Sequence, residues 1–225
     1  MKNKLKKIIL IIMISWTFCY IKGCTSLNGG ASSNDKDRQV SGNVNSELLL
    51  VNEKHGLSKD YEPPNLTIPK IEFADGISFE EKHIAGIIAK PLEELIKKAK
   101  DEGIILLGNS GYRSYKSQEE IFENRVKVEG KKLAVAYVAK PGFSEHQTGL
   151  CIDVTNKDKY FVNGTKEAKW LTKNCYKFGF IIRYPAGKKN ITGIEYEPWH
   201  IRYVGKTAAK YIYDNEITLE EYLEK

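Results

Sequence analysis

A histidine and an aspartate seven positions apart attract attention because both side chains can bind a metal ion. His146 and Asp153 lie in residues 144–154, SEHQTGLCIDV, which end in an alternating apolar run. If residues 150–155 form a strand, its period of two turns the apolar side chains to the core and Asp153 to the opposite face. Gly149 permits a sharp turn, so both side chains can converge on one ion.

A third ligand has to come from elsewhere, and His200 is the candidate. It ends the stretch YEPWH, whereas His55 and His83 have no ligand-like neighbours at useful spacing. Two imidazoles and one carboxylate suit zinc, and three protein ligands leave the fourth tetrahedral position for a water, as in catalytic sites. Spacing alone leaves the alternative open that each histidine is an ordinary polar residue with satisfied hydrogen bonds.

Glu197, three residues before His200, is the candidate general base. A carboxylate that is not a ligand, placed beside a metal-bound water, accepts the water's proton in metal-assisted hydrolysis. Residues three apart lie on opposite faces of a flat strand, so both side chains point inward only if Pro198 marks a bend or an edge. We therefore predict a bend at Pro198.

Together these stretches resemble the signature of VanY-type D-alanyl-D-alanine carboxypeptidases, zinc peptidases of the LAS group that trim bacterial cell-wall stem peptides. The resemblance rests on residues 144–153 and 197–200 and on a third block at 110–118, SGYRSYKSQ, and it covers about residues 46–213. At Cys151 and Cys175 the chain departs from the family, which usually has a small residue such as alanine there.

The resemblance implies a metal-binding set and a base. His146, Asp153 and His200 match the zinc ligands, and Glu197 matches the residue that activates the metal-bound water. The implied cofactor is therefore Zn²⁺.

The resemblance also implies three residues that act on the substrate. Arg113 matches the arginine that stabilises the developing oxyanion, while Ser144 and Gln118 match residues that hold the C-terminal end of the substrate. Alternatives stay open for each: Arg113 can form a structural ion pair with a surface acid, and Ser144 or Gln118 can cap a turn or a helix.

The implied function is an exported zinc carboxypeptidase that removes the C-terminal D-alanine from peptidoglycan stem peptides. Two alternatives remain: an L,D-carboxypeptidase that acts on tetrapeptide stems, and a wall-binding module without catalysis. The joint presence of Glu197, Arg113 and the three candidate ligands argues against the last, because a degenerate module has little reason to keep them together.

The N-terminal residues predict export. Several lysines precede an apolar run from Ile8 to Ile21, which is shorter than the roughly 20 residues that span a bilayer. Residues 21–24, IKGC, resemble a bacterial lipobox, which implies a signal peptide at 1–23 and lipidation of Cys24. Residues 24–45 are rich in Gly, Ser, Asn and Asp and suit a flexible tether. An uncleaved signal anchor and an ordinary secretory signal are the alternatives.

The expected location is therefore the bacterial cell surface, on the outer side of the cytoplasmic membrane, and a monomer is expected. The net charge of +6 does not indicate nucleic acid, because five lysines and no acid lie in residues 1–23. Taking these five from 35 basic residues leaves 30, against 29 acidic ones.

Cys151 and Cys175 are the cysteines of the mature domain. An exported protein can pair them, but both stand where a small buried residue is expected, so we predict two buried thiols. Strand alternation turns Cys151 toward the side of Asp153, close to a metal that binds thiolate well. Because the family's small residue implies a tight pocket, we expect a packed bystander that neither binds zinc nor forms a disulfide.

Residues 46–225 are predicted to form one α+β domain, with helices packed on one side of a small, mainly antiparallel sheet and zinc on its concave face. Ser78 and Glu81 read as a capping box at the start of the first helix. The predicted helices cover 78–101, 118–128, 131–138, 167–178, 207–213 and 219–223. The predicted strands cover 104–107, 150–155, 180–184 and 193–196.

Overall fold

The computed structural model describes residues 46–224. The helices are α1 (Gly86–Asp101), α2 (Tyr115–Glu129), α3 (Lys131–Tyr137), α4 (Lys166–Asn174), α5 (Lys189–Thr192), α6 (Lys206–Asp214) and α7 (Leu219–Leu223). The strands are β1 (Leu66–Thr67), β2 (Ile84–Ala85), β3 (Leu107–Ser110), β4 (Cys151–Thr155), β5 (Phe180–Ile182) and β6 (His200–Tyr203). Short 3₁₀ turns include Glu80–Lys82, Glu145–Thr148 and Cys175–Phe178.

An antiparallel four-stranded sheet in the order β3-β4-β6-β5 carries Asp153 and His200, while β1 pairs with β2 in a separate two-stranded ladder. The register of β4 against β6 sets Asp153 opposite His200 and Cys151 opposite Arg202. Residues directly opposite each other on antiparallel strands point to the same face. One face of β4 and β6 is therefore polar, and the alternate residues form the other face.

That other face packs into the main hydrophobic core together with α1 and α4. Its members alternate along the strands and recur every three or four residues along α1. The apolar face of the sheet and the apolar face of α1 therefore pack into the same core. The fully or almost fully buried members include Ile84, Ile88, Leu92, Leu95, Ala99, Leu150, Ile152, Val154, Leu171, Phe180 and Ile201.

A second cluster joins the C-terminal helices to β5. Ile181 lies in register with Arg202, on the polar side of the sheet, and packs there against residues of α6 and α7. The α+β class with a small antiparallel sheet is confirmed. In addition to α1 and α4 on one face, helices thus cover the edge of the opposite face at β5.

Two predicted element boundaries are wrong at the N-terminal half. The first helix begins at Gly86, and Ser78 precedes only the 3₁₀ turn at Glu80–Lys82, where the Glu81 N–H donates to Ser78 Oγ at 3.2 Å. The chain then extends into β2, which pairs with β1. The first strand of the four-stranded sheet is Leu107–Ser110 and not residues 104–107, since pairing with β4 begins at Leu107.

The strand predicted at 193–196 is also wrong. The chain forms the short helix α5, ends it at Gly193 in the left-handed conformation, and pairs with its neighbours only from His200 to Tyr203. These residues meet β4 on one side and β5 on the other, so the pairing itself decides where the strand lies.

The signal-peptide and lipid-anchor predictions concern residues outside the described part of the chain. Within residues 46–224, no helix has the length and apolar character needed to cross a membrane.

Candidate metal centre and active site

His146 is presented by a tight turn that leads into β4. The 3₁₀ turn Glu145–Thr148 ends at Gly149, whose φ of 64° is left-handed and where a Cβ would lie 2.9 Å from the Ala85 nitrogen. The ring is oriented by its Nδ1, 2.7 Å from the carbonyl oxygen of Gly111. A carbonyl only accepts, so Nδ1 carries the proton and Nε2 is left to bind a metal.

His200 is oriented in the same manner by a carboxylate. Its Nε2 lies 3.1 Å from Glu145 Oε2, and its Nδ1 lies 3.0 Å from Asp153 Oδ1. Burial acts to raise the pKa of Glu145, but Arg202 and Arg183 outweigh it and hold that pKa well below its usual range. Because an ionised carboxylate accepts, Nε2 donates to Glu145, and Nδ1 faces the site.

Asp153 completes the set that the sequence predicted. Its Oδ1 is 3.7 Å from His146 Nε2, and the rings of His146 and His200 have centroids 5.0 Å apart. This oxygen is buried, yet it has no hydrogen-bond partner of acceptable geometry within residues 46–224. A buried carboxylate oxygen that faces two imidazole nitrogens fits a cation such as Zn²⁺.

The electrostatics of the site also favour a cation. Burial acts to lower the pKa of His146 and His200, but the neighbouring Cys151 thiol and Asp153 carboxylate outweigh it and raise both pKa values. A positive charge, whether a proton or a metal ion, is thus stabilised here.

The thiol of Cys151 lies inside this group. Its sulfur and one nitrogen each from His146 and His200 are all within 4.8 Å of one another, and all three residues are buried. Strand alternation is thus confirmed in placing Cys151 beside the candidate ligands, while the expectation that its sulfur does not bind zinc stays a prediction. Cys151 and Cys175 are both free, as predicted. Cys175 differs in its surroundings, where burial raises its pKa to about 12.

Glu197 lies at the edge of the same site. Its Oε2 is 3.8 Å from His200 Nδ1, and the His200 N–H donates to the Glu197 carbonyl at 3.3 Å across a turn that contains Pro198. The predicted bend is confirmed. Burial raises the pKa of Glu197 to about 7, with Asp153 and Glu145 adding to the rise and the two imidazoles opposing it.

Arg113 is held by three side chains around the site. Its Nη2 donates to Glu81 Oε1 at 3.1 Å and to Ser110 Oγ at 3.0 Å, and its Nη1 donates to Gln118 Oε1 at 3.0 Å. The ion-pair alternative is thus realised, though with a buried acid. Its Nε is a further donor, which is buried without a partner in the described chain.

Sequence reasoning missed Glu81, which holds Arg113. The Ser78–Glu81 spacing indicated a capping box, and Ser78 Oγ does donate to Glu81 Oε2 at 3.0 Å. The other oxygen, Oε1, accepts from Arg113 and Ser110. No local pattern could show this second role, since Arg113 is 32 positions away.

Gln118 and Ser144 are both buried, but they lie in different parts of the site. Gln118 is buried, and its Nε2 donates to the Ala139 carbonyl at 2.7 Å while its Oε1 accepts from Arg113. Ser144 is buried directly before the turn that carries His146. The predicted contact of either residue with substrate stays a prediction.

A cavity of about 350 Å³ is lined by all seven candidate residues, which are Arg113, Gln118, Ser144, His146, Asp153, Glu197 and His200. Its wall adds apolar and aromatic side chains, which suits a peptide substrate. These include Ile121, Val138, Phe143, Tyr184, Ile194 and Trp199.

Residues 81–206 match the family model VanY, described as D-alanyl-D-alanine carboxypeptidase. The chain belongs to the VanY family. The matched region includes every VanY motif residue named above, from Arg113 to His200, so the resemblance read from the sequence is confirmed.

Individual relatives agree with this assignment. One relative is YodJ of Bacillus subtilis (strain 168), which is named as a carboxypeptidase. It is 48% identical over 183 residues, which are 79% of this chain and 67% of that protein. The chain thus spans about two thirds of that relative's length.

Two solved structures are similar over most of the chain. The LdcB LD-carboxypeptidase is 45% identical with a TM-score of 0.76, covering 85% of this chain and 92% of that chain. A vancomycin-resistance D,D-pentapeptidase VanY in complex with Zn(II) is 36% identical with a TM-score of 0.67, covering 79% of this chain and 99% of that chain. The protein is therefore a carboxypeptidase of the VanY family, and Zn²⁺ is the cofactor that its site fits.

Proposed function

We propose that this VanY-family protein is a zinc-dependent carboxypeptidase that hydrolyses the C-terminal D-alanine of peptidoglycan stem peptides. The observation that carries the proposal is the convergence of Asp153 Oδ1 with His146 Nε2 and His200 Nδ1, beside Glu197 and Arg113 in one cavity. When bound, Zn²⁺ supplies a Lewis acid that polarises a carbonyl and lowers the pKa of water.

Glu197 is proposed as the general base. Its Oε2 accepts a proton from the attacking water and then gives that proton to the leaving amine nitrogen. A carboxyl group with a pKa of about 7 suits both transfers, because it gains and loses a proton near neutral pH. Burial, which sets this pKa, therefore serves the reaction.

Arg113 is proposed to stabilise the negative charge that develops on the scissile carbonyl oxygen. Glu81, Ser110 and Gln118 hold its two terminal nitrogens, which fixes the guanidinium before the substrate arrives. Its unpartnered Nε leaves one N–H to donate. A donor held in place costs little reorganisation when the charge appears.

Ser144 is proposed to hold the free carboxylate at the end of the substrate. Gln118 is proposed to position Arg113 instead, because its amide oxygen accepts from Arg113 and its amide nitrogen donates to the Ala139 carbonyl. Such a grip requires a free C-terminus. A substrate with an amidated C-terminus should therefore be cleaved poorly, and its efficient cleavage would remove this part of the proposal.

An L,D-carboxypeptidase acting on tetrapeptide stems is the second candidate. The 45% identity and TM-score of 0.76 to the LdcB LD-carboxypeptidase support it directly. The same ligands, base and arginine serve either bond, so the site chemistry does not separate the two. The non-catalytic wall-binding module has less support, because the base and the ligands occur together.

Mass spectrometry of muropeptides tests the proposal. Purified zinc-loaded protein is incubated with pentapeptide and tetrapeptide muropeptides in parallel, with Glu197→Ala protein as the control. The proposal expects loss of one alanine from the pentapeptide. Cleavage of the tetrapeptide alone would establish the L,D alternative, and binding without release of any residue would favour the wall-binding module.

We also propose that the enzyme is a monomer tethered to the outer side of the cytoplasmic membrane by lipid on Cys24. The lipobox-like residues 21–24 and the polar stretch that follows support this location. Fractionation tests it: Cys24→Ser should move the protein from the membrane to the soluble fraction. An unchanged distribution would contradict the lipid anchor.

A further inference from the structure

The far end of the α2–α3 helix pair combines basic and exposed apolar side chains. Residues 125–133, RVKVEGKKL, form this end and are called the hairpin tip; they carry four basic residues and one acid. We propose that the hairpin tip docks on an anionic bilayer surface. This interaction goes beyond the proposed carboxypeptidase activity and does not depend on it.

The rest of the described chain leaves the hairpin tip uncovered. α2 ends at Glu129, and Gly130, with a φ of 83°, turns the chain into α3 with open space where a Cβ would lie. The buried side chain of α2 is Gln118, near its other end, and none of residues 119–133 is buried. The hairpin tip is therefore accessible to a large partner.

Two apolar side chains lie close to the turn in the hairpin tip. Val128 is 81% exposed and Leu133 is 48% exposed, and both are within three residues of Gly130. Removing apolar side chains from water is favourable, so both gain from a partner with an apolar interior. A bilayer offers this at the boundary between headgroups and acyl chains, whereas a soluble polyanion does not.

The charge of the hairpin tip selects anionic lipid. Lys131 and Lys132 directly follow the turn and have no ion-pair partner among residues 46–224. Glu129, the acid of the hairpin tip, already pairs with Arg125 at 2.8 Å. The excess positive charge attracts anionic headgroups. It disfavours a second copy of this chain as the partner, because two such tips repel each other.

Docking of the hairpin tip would also position the cleft. Ile121 of α2 and Val138, which follows α3, line the cleft, and the hairpin tip lies further along the same two helices. From Ile121 to Val128 the helix rises about 10 Å, at about 1.5 Å per residue. Ile121 would therefore lie at most about 10 Å further from the bilayer than Val128.

Vesicle co-sedimentation tests the proposal. The chain from Thr25 onward keeps every described residue and lacks the apolar N-terminal run and Cys24, so neither contributes to binding. It should bind vesicles made of equal parts phosphatidylcholine and phosphatidylglycerol, and bind phosphatidylcholine vesicles much more weakly.

Variants of the hairpin tip separate its two contributions. Each basic residue near an anionic bilayer strengthens binding about 5-fold, so Lys131→Gln/Lys132→Gln should bind about 25-fold more weakly. Val128→Asp/Leu133→Asp should bind at least about 10-fold more weakly, because burying one apolar side chain is worth about that much.

Matched substitutions elsewhere serve as controls. Lys97→Gln/Lys98→Gln removes two adjacent exposed lysines of α1. Phe79→Asp removes an apolar side chain that is 75% exposed and lies near the beginning of α2, where Glu80 accepts from the Ser114 N–H. Both controls should bind vesicles like the wild type, and equal melting temperatures show that every variant is folded.

Absence of wild-type binding to the anionic vesicles would overturn the proposal, and so would equal losses in the hairpin-tip variants and the controls. A loss in Lys131→Gln/Lys132→Gln but not in Val128→Asp/Leu133→Asp would indicate a polyanion site instead of bilayer docking. Self-association that depends on Val128 and Leu133 would indicate a second copy and overturn it as well. Each of these outcomes leaves the zinc carboxypeptidase intact, since muropeptide hydrolysis is measured without vesicles.

Discussion

Two clusters of buried charge lie side by side in this protein and share Glu145. One is the cleft with His146, Asp153 and His200, where Asp153 Oδ1 is left without a hydrogen-bond partner in the described chain. The other is the arginine cluster of Arg183, Arg202, Glu145 and Glu220. The two clusters are similarly buried, but they differ in how completely their polar atoms have hydrogen-bond partners.

In the arginine cluster the charges are paired. Arg183 donates to Glu145 at 2.7 Å and to both oxygens of Glu220 at 2.9 and 2.6 Å, and Arg202 donates to Glu145 at 2.6 Å. Paired buried charge fixes structure, whereas a buried polar atom without a partner beside a cavity indicates a ligand. The arginine cluster thus holds Glu145, and Glu145 orients His200 in the cleft.

Glu197→Ala, a substitution in the cleft, gives the largest expected effect, which is a loss of catalytic rate. Loss of the general base should lower the rate of D-alanine release about 10²–10⁴-fold, while zinc stays bound because the ligands remain. Release assays and metal analysis on the same preparation measure both quantities. A variant that is inactive and also free of zinc would reassign Glu197 as a ligand.

Arg183→Met addresses the arginine cluster. Removing Arg183 leaves Glu220 without its charged partner and Glu145 with Arg202 as its remaining arginine, so the free energy of unfolding should fall by about 3–5 kcal/mol. Urea denaturation measures it. The control is Lys97→Met, which removes the exposed Lys97–Asp101 pair and should leave stability almost unchanged. Equal effects of the two substitutions would refute the contrast between buried and exposed pairs.

Arg113→Lys tests a residue that forms a buried ion pair with Glu81 and also lines the cleft. A lysine keeps a charge beside Glu81 but not the forked donors, so we expect kcat to fall about 10²-fold with a smaller change in KM. Steady-state kinetics separates the two constants. A pure rise in KM would make Arg113 an anchor for the substrate instead of a stabiliser of the transition state.

The smallest expected effect concerns acid stability. Burial acts to raise the pKa of Glu220, but its hydrogen bonds and attraction to Arg183 outweigh this and lower it. A group whose pKa is lower in the folded state stabilises the fold above its ordinary pKa, about 4.3, and loses that contribution as pH falls through the folded value. Wild-type stability should therefore decline more steeply below about pH 4 than that of Glu220→Gln. Thermal melts across this range would show parallel curves if Glu220 did not contribute.

The sequence by itself determined the chemistry of the cleft. Alternation along residues 150–155 predicted which face carries Asp153, and Gly149 predicted the turn that presents His146, because both depend on near neighbours in the chain. The resemblance of three short blocks then indicated the zinc set, the base and the arginine before any contact was known.

The tertiary structure alone decided which charged groups meet and what surrounds the thiol. Glu145 is 38 positions from Arg183 and 57 from Arg202, and no local period relates such distances. The register of β4 against β6 brings Cys151 to the imidazoles, and the same pairing moves the last strand of the sheet to His200–Tyr203. Such partners depend on how distant strands pair, since each strand's own pattern specifies only which of its faces is buried.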